Sequence, residues 1–249
     1  MFAFACDGDR LILEPDDRLS LDITGRFAAG LSSDDDNLVL RAARGFAERF
    51  GGTATGRFTL DKALPIAAGI GGGSADAAAA LRLLARREAI DPADPRLFAL
   101  AADLGADVPA CLVGRMVRGE GRGDQLLPVD PGSLAGKPLL LVNPLVPCPT
   151  GPVFKAWDGI DRGSLGAGDP LAVARAGRND LEPPARALVP AVATVVDRLA
   201  AQPGILIARM SGSGATGFAL FADDAARDAA DAAIAASHPD WWRLATALS

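Results

Sequence analysis

Residues 62–84 read Lys62-Ala-Leu-Pro-Ile-Ala-Ala-Gly69-Ile-Gly-Gly-Gly73-Ser-Ala-Asp-Ala-Ala-Ala-Ala-Leu-Arg-Leu-Leu84, a glycine loop that runs straight into a helix. From Ala75 onward the alanines favour helix, and Ala77, Leu81 and Leu84 share one face while Arg82 and Arg86 share the other. Ser74 is the expected N-cap, with Asp76 in the first turn. Gly69, Gly71, Gly72 and Gly73 carry no Cβ to hold a ligand away from the backbone. The first amides of a helix have no internal partner and point outward with partial positive charge, so this geometry makes an anion site, with phosphate the expected anion. A plain connector explains the loop poorly, because each of the adjacent glycines costs about 1 kcal/mol of backbone entropy relative to alanine. The loop is not a Walker A motif, since no Gly-Lys-Ser/Thr ends it. Nor is it a dinucleotide fingerprint, because Ser74 stands where the third glycine would be.

Working outward, 249 residues of which 49% are hydrophobic suffice for a packed core of one large or two modest domains. A net charge of −6 argues against nucleic acid or an anionic membrane as partner, so any anion site is local. Cys6, Cys111 and Cys148 lack metal-site spacing and read as reduced thiols. His238 is the one histidine, which sets zinc and Ser-His chemistry aside, and no metal-ligating residue is singled out. With neither a membrane-length apolar run nor a leader pattern, the expected location is the cytoplasm.

Along the chain, alternation at 10–14 and 19–23 around a Pro-Asp-Asp turn predicts an antiparallel hairpin. Ser32 to Asp36 are expected to cap a helix over 38–50 that ends at Gly51-Gly52, and 57–60 form a short strand entering the glycine loop. Asp91 to Pro95 start a helix running to about Leu104; strands are expected over 110–113 and 116–118, and a polar turn over 119–124. Asp130 to Gly136 is the domain boundary candidate, ahead of a strand over 138–142. Helices over 153–157 and 190–202 then precede strands over 205–210 and 218–221, a helix over 225–236 and a last strand over 241–248. The turn Ser211 to Gly217 contains G-x-G-x-x-G but leads into a strand, so it is no Rossmann loop.

The central stretch resembles the second motif of the kinases named for galactose, homoserine, mevalonate and phosphomevalonate, the GHMP kinases, and more narrowly the diphosphocytidyl-methylerythritol kinases of the non-mevalonate isoprenoid route. Leu104-Gly-Ala-Asp107-Val-Pro109 is similar to the segment that carries their catalytic aspartate. By itself an Asp in such a turn is as well explained by local structure. The resemblance implies that Asp107 accepts the proton of the substrate hydroxyl. It further implies that Pro65, Ile66, Ala67, Ala68, Gly69, Ile70, Gly71, Gly72, Gly73, Ser74 and Ala75 form the ATP loop, with Lys62 on the nucleotide side and Asn37 at the base. Thr150 and Phe154 resemble the substrate-side segment whose phenylalanine packs on cytosine, although Gly151-Pro152 interrupts the pattern. Arg178 to Glu182 resemble a structural segment, and Met210 to Ala215 the third family motif.

The implied fold is α+β, with a GHMP-kinase N-terminal ATP-binding domain over 1–134 and a ferredoxin-like C-terminal domain over 135–249. The implied activity is ATP- and magnesium-dependent phosphorylation of the 2-hydroxyl of 4-diphosphocytidyl-2-C-methyl-D-erythritol. One feature is missing: the family's first strand, with its lysine and asparagine, and the following Asp-Gly-Tyr-His are absent, for the chain has no tyrosine. Two explanations compete, a start that lies upstream of Met1 in a longer functional protein and a shortened, weakly active or inactive form, and the retention of every other segment favours the first. Two other readings of function share the fold, a kinase for another small alcohol and a nucleotide-binding protein without catalysis.

Overall fold

A computed structural model describes residues 1–121, 123 and 125–249; Arg122 and Asp124 of the expected polar turn lie outside the described residues. The chain forms two compact units, one made of Met1–Phe2, Gly8–Ile66 and Gly71–Pro128, the other of Ala3–Asp7, Ala67–Ile70 and Val129–Ser249.

The first unit begins with β1 (Arg10–Glu14) and β2 (Leu19–Thr24), followed by α1 (Leu38–Phe50) and β3 (Gly56–Asp61). The predicted hairpin does not form. β3 lies between the two strands, antiparallel to β1 and parallel to β2. Phe58 and Leu60 make β3 the most buried of the three, so it takes the centre, while no residue of β1 is fully buried. Period-2 alternation identifies strands but not their neighbours.

Helix α1 is capped by Asn37, whose Oδ1 accepts from the Val39 amide, not by the aspartates before it, and it ends at Gly51 with φ 83°. Helix α2 (Gly72–Arg87) buries Ala77, Leu81 and Leu84 as expected and packs on α1. Then come α3 (Pro95–Leu104), capped by Asp94, and α4 (Val108–Val113), both packed on α2. The expected strand over 110–113 is thus a helix. Pro109 in its first turn explains the difference, since proline is preorganised for a helix start and a short apolar run alone is ambiguous. β4 (Val117–Glu120) and β5 (Gln125–Pro128) close the unit as an antiparallel pair.

The second unit contains β6 (Pro138–Asn143), α5 (Thr150–Ala156), α6 (Pro170–Ala176), α7 (Glu182–Leu188), α8 (Pro190–Ala200), β7 (Ile205–Met210), β8 (Gly217–Phe221), α9 (Asp224–Ser237) and β9 (Trp242–Ala247). Its antiparallel sheet runs β7-β8-β6-β9. With α8 and α9 as the crossovers this is the split βαβ, or ferredoxin-like, arrangement. Leu140, Val142, Ala219 and Phe221 line one face of the sheet, and Val195 and Leu199 of α8 with Ala230 and Ile234 of α9 cover it. None of the described helices is long and apolar enough to cross a membrane.

Candidate active site

The glycine loop enters α2 differently from expectation. Gly71, with φ 70° and ψ 19°, occupies the N-cap position, and its carbonyl accepts the Ala75 amide at 2.9 Å. Ser74 therefore lies inside the first turn and caps nothing. A left-handed N-cap needs glycine, which explains why the helix starts here and not at the serine. Among the described residues, nothing accepts from the amides of Gly72, Gly73 and Ser74. No atom of the unit comes within 4 Å of a Cβ built on Gly71, so the space above these donors is open.

Beneath the same turn sits a buried ionic cluster that sequence reading missed. Lys62 Nζ donates to Asp9 Oδ2 at 2.5 Å and to Asp76 Oδ2 at 2.7 Å, with side-chain exposures of 3%, 4% and 8% for Lys62, Asp9 and Asp76. Asp9 Oδ1 accepts from the Ala63 and Leu64 amides at 2.8 and 2.9 Å. The strand-side stem of the loop and the second turn of α2 are thereby tied together. Burial pushes the Asp76 carboxyl up to about 6; the Lys62 ammonium opposes that rise and Asp9 adds to it. A Cβ on Gly72 would stand 3.3 Å from the Lys62 ammonium, so glycine lets this cation approach the helix start.

Asp107 occupies the N-cap position of α4 but makes no capping bond, and among the described residues its carboxylate has no hydrogen-bond or ion-pair partner. It is reached by solvent, yet the protein behind it displaces enough water to raise its pKa above the ordinary carboxylate value. The Cys111 thiol, one turn on, is pushed up to about 11, first by burial and then by Asp107 and, more weakly, Asp76. Because α4 packs against α2, Asp107 at the head of α4 belongs to the same packed group of helices as the phosphate-loop helix. The start of α1 is adjacent too, for Leu38 Cδ1 would lie 3.6 Å from a Cβ on Gly73. Asn37 is already engaged there: besides its cap, its Nδ2 donates to the Ser32 carbonyl at 2.8 Å. Pro65 is buried and Ile66 exposed, both within this unit.

In the second unit, Ala67–Ile70 are held by the turn after β7. Ser211 Oγ donates to the Gly69 carbonyl at 2.9 Å, and Thr216 Oγ1 to that of Ala68 at 2.6 Å. Thr216 in turn accepts from Asn143 Nδ2 at 2.8 Å. Backbone meets backbone: a Cβ on Gly69 would fall 2.3 Å from the Gly214 carbonyl oxygen, and one on Gly212 would fall 2.7 Å from that of Gly69. Asn179 Nδ2 donates to the carbonyls of Met210 and Gly212, and Glu182 accepts the Met210 amide, so the segment after α6 braces this turn. As expected of a turn that is no Rossmann loop, β8 follows it. Thr150 and Ser213 share a 2.9 Å hydroxyl hydrogen bond, the Cys148 thiol donates to the Ser213 carbonyl, and Phe154 on α5 is 53% exposed.

With this geometry in view, residues 37–115 match the family described as GHMP kinases N terminal domain and residues 162–240 match GHMP kinases C terminal. The chain belongs to the GHMP kinases. It is 58% identical over 250 residues to the 4-diphosphocytidyl-2-C-methyl-D-erythritol kinase of Rhizorhabdus wittichii strain RW1, a match that covers 100% of this chain and 85% of that protein. Among solved structures it resembles a 4-(cytidine 5'-diphospho)-2C-methyl-D-erythritol kinase, with TM-score 0.72 and 34% identity over 97% of this chain and 86% of the other. The homoserine kinase of Cytophaga hutchinsonii superposes with TM-score 0.74 at 20% identity, covering 97% of this chain and 86% of that one, which bears on the GHMP kinase fold alone.

Proposed function

We infer that this chain is an ATP-dependent kinase that phosphorylates the 2-hydroxyl of 4-diphosphocytidyl-2-C-methyl-D-erythritol in isoprenoid biosynthesis. The observation that carries the mechanism is the pairing, within one unit, of three unclaimed amides at the start of α2 with an unclaimed carboxylate at Asp107. The Gly72, Gly73 and Ser74 amides receive nucleotide phosphate oxygens, and the macrodipole of α2 adds to their attraction. Asp107 accepts the proton of the 2-hydroxyl as its oxygen bonds to the γ-phosphorus and the bond to the β-phosphate oxygen breaks, releasing ADP. A pKa raised by burial makes Asp107 a better proton acceptor than an ordinary carboxylate. Phosphoryl transfer asks little covalent work of the protein, so positioning and charge stabilisation supply the rate.

Magnesium would arrive bound to the nucleotide and would supply charge neutralisation there. Among the described residues no three His, Cys, Asp or Glu side chains gather to hold a metal alone. Mg²⁺ keeps water and phosphate oxygens and would not need such a cluster.

Asn37 keeps one amide hydrogen beyond its bond to the Ser32 carbonyl to offer the nucleotide, whereas the Lys62 ammonium, 3% exposed, serves the nucleotide side by holding the loop from beneath. On the substrate side, the exposed Phe154 ring stacks on cytosine, a contact worth about 1 to 3 kcal/mol, with Thr150 beside it. The proposed domains are 1–134 for nucleotide and 135–249 for the remainder, although the compact units part between Pro128 and Val129 and Ala67–Ile70 of the loop fall in the second; the enzyme works in the cytoplasm on a small molecule, without nucleic acid or membrane. The test is turnover of ATP with the cytidylated substrate. Asp107→Asn lowers kcat by about 10² to 10⁴ while nucleotide still binds; unchanged kcat removes Asp107 from the mechanism.

A further inference from the structure

Helix α4, which presents Asp107, is a poor helix by itself. It has six residues, against the roughly 12 to 15 that an isolated helix needs, and Asp107 does not cap its first turn. It is secured at the opposite end. The last carbonyls of a helix have no partner within it. Here the Gly114 amide takes that of Ala110 at 3.1 Å, and Arg82 Nη1 on α2 takes that of Cys111 at 2.6 Å. The guanidinium lies against the helix end, since a Cβ on Gly114 would be 3.8 Å from Nη1, and its positive charge faces the negative pole of the α4 dipole.

We propose that Arg82 is a positioning residue for phosphoryl transfer: by tying the C-terminal end of α4 to α2, it fixes where Asp107 stands relative to the amides that receive the phosphates. This rests on the reading of Asp107 as proton acceptor. Both ends of the linkage are firm. Ala77, Ala78 and Leu81 anchor α2 in the core, and Val108, Ala110, Cys111 and Leu112 bury the inner side of α4. The four-residue step from Asp107 to Cys111 is about 6 Å of helix, short enough for a pivot at one end to reach the other undamped. Partial burial of the guanidinium holds the Arg82 pKa below its usual value, Cys111 opposes that fall and Arg86 adds to it, while part of the side chain stays exposed. A misplacement of about 1 Å at a reacting group is worth about 10²-fold in rate, so a tether at this point acts on turnover and not on nucleotide affinity.

The test uses Arg82→Met, which keeps the stem and removes the donors, and Arg82→Lys, which keeps one donor, each alone and combined with Asp107→Asn. Arg82→Met is expected to lower kcat by about 10- to 100-fold with KM for ATP within about twofold of wild type, and Arg82→Lys to recover most of the loss. Combined with Asp107→Asn, Arg82→Met is expected to cost less than about twofold further, because no base remains to be misplaced. Equal loss in both backgrounds assigns Arg82 to general stability and overturns the proposal, as does wild-type kcat in Arg82→Met. If Arg82→Met does not fold, Arg82→Gln, uncharged and too short to reach the Cys111 carbonyl, carries the same comparison between backgrounds. Full activity of Asp107→Asn defeats the reading of the base, whereas an inactive Asp107→Asn beside a fully active Arg82→Met defeats the tether alone.

Discussion

Lys62→Met isolates the buried cluster beneath the phosphate loop. The substitution leaves two carboxylates, 4% and 8% exposed, facing the space vacated by the ammonium. Removing one partner of a buried ion pair costs about 3 to 5 kcal/mol. Protonation limits that cost. Asp76 already titrates near 6 although Lys62 holds it down, a rise from 3.8 that corresponds to about 3 kcal/mol against the ionised form. Because the folded-state value is the higher one, the stability contributed by Asp76 is complete below about 3.8 and is lost as pH rises through about 6. Without Lys62 the charge that holds the Asp76 value down is gone, and the window of loss moves upward. Lys62→Met is thus expected to lose little stability at pH 5.5 and about 3 to 5 kcal/mol at pH 8. Urea or thermal denaturation at both pH values, alongside wild type, measures it. An equal loss at the two pH values would refute the reasoning, as would none at pH 8.

Gly69→Ala brings a Cβ to 2.3 Å from the Gly214 carbonyl oxygen at a φ of 75°. The strand of loop before Gly71 must shift, and kcat/KM for ATP is expected to fall by about tenfold or more, read from initial rates across ATP concentrations. Phe154→Ala removes an exposed ring, so the melting temperature should stay unchanged while KM for the cytidylated substrate rises by about 5- to 100-fold. A drop in melting temperature with KM unaltered would return Phe154 to packing.

What could be read from residues alone was local. The triple glycine, the alanine face of α2 and the strand after Gly217 all depend on neighbours a few positions apart, and each appears where its pattern puts it. Failures arose where tertiary partners decide. β1 and β2 alternate correctly, but only the burial of Phe58 and Leu60 shows which strand takes the centre. Ser74 is a good cap in isolation and lost to a glycine free to turn left-handed. Asp9 and Arg82 carry no local mark: one meets Lys62 at a separation of 53 residues and the other meets Cys111 at 29, distances that no periodicity spans. The residues proposed to face phosphate could therefore be listed from the sequence, and the framework that holds them could not.

The junction of Gly69 with Gly212 and Gly214 constrains how this chain can change. Where two side chains touch, one can grow as the other shrinks, and a lineage can wander through paired replacements. Where main chain rests on main chain there is nothing to trade, because no substitution shortens a carbonyl. Random mutagenesis under selection for activity should leave Gly69 and Gly212 blank however many second-site changes are allowed, whereas a Cβ at Gly214 would meet the Met210 and Cys148 side chains, which can change; efforts to re-aim the enzyme at another alcohol must start elsewhere than the first two.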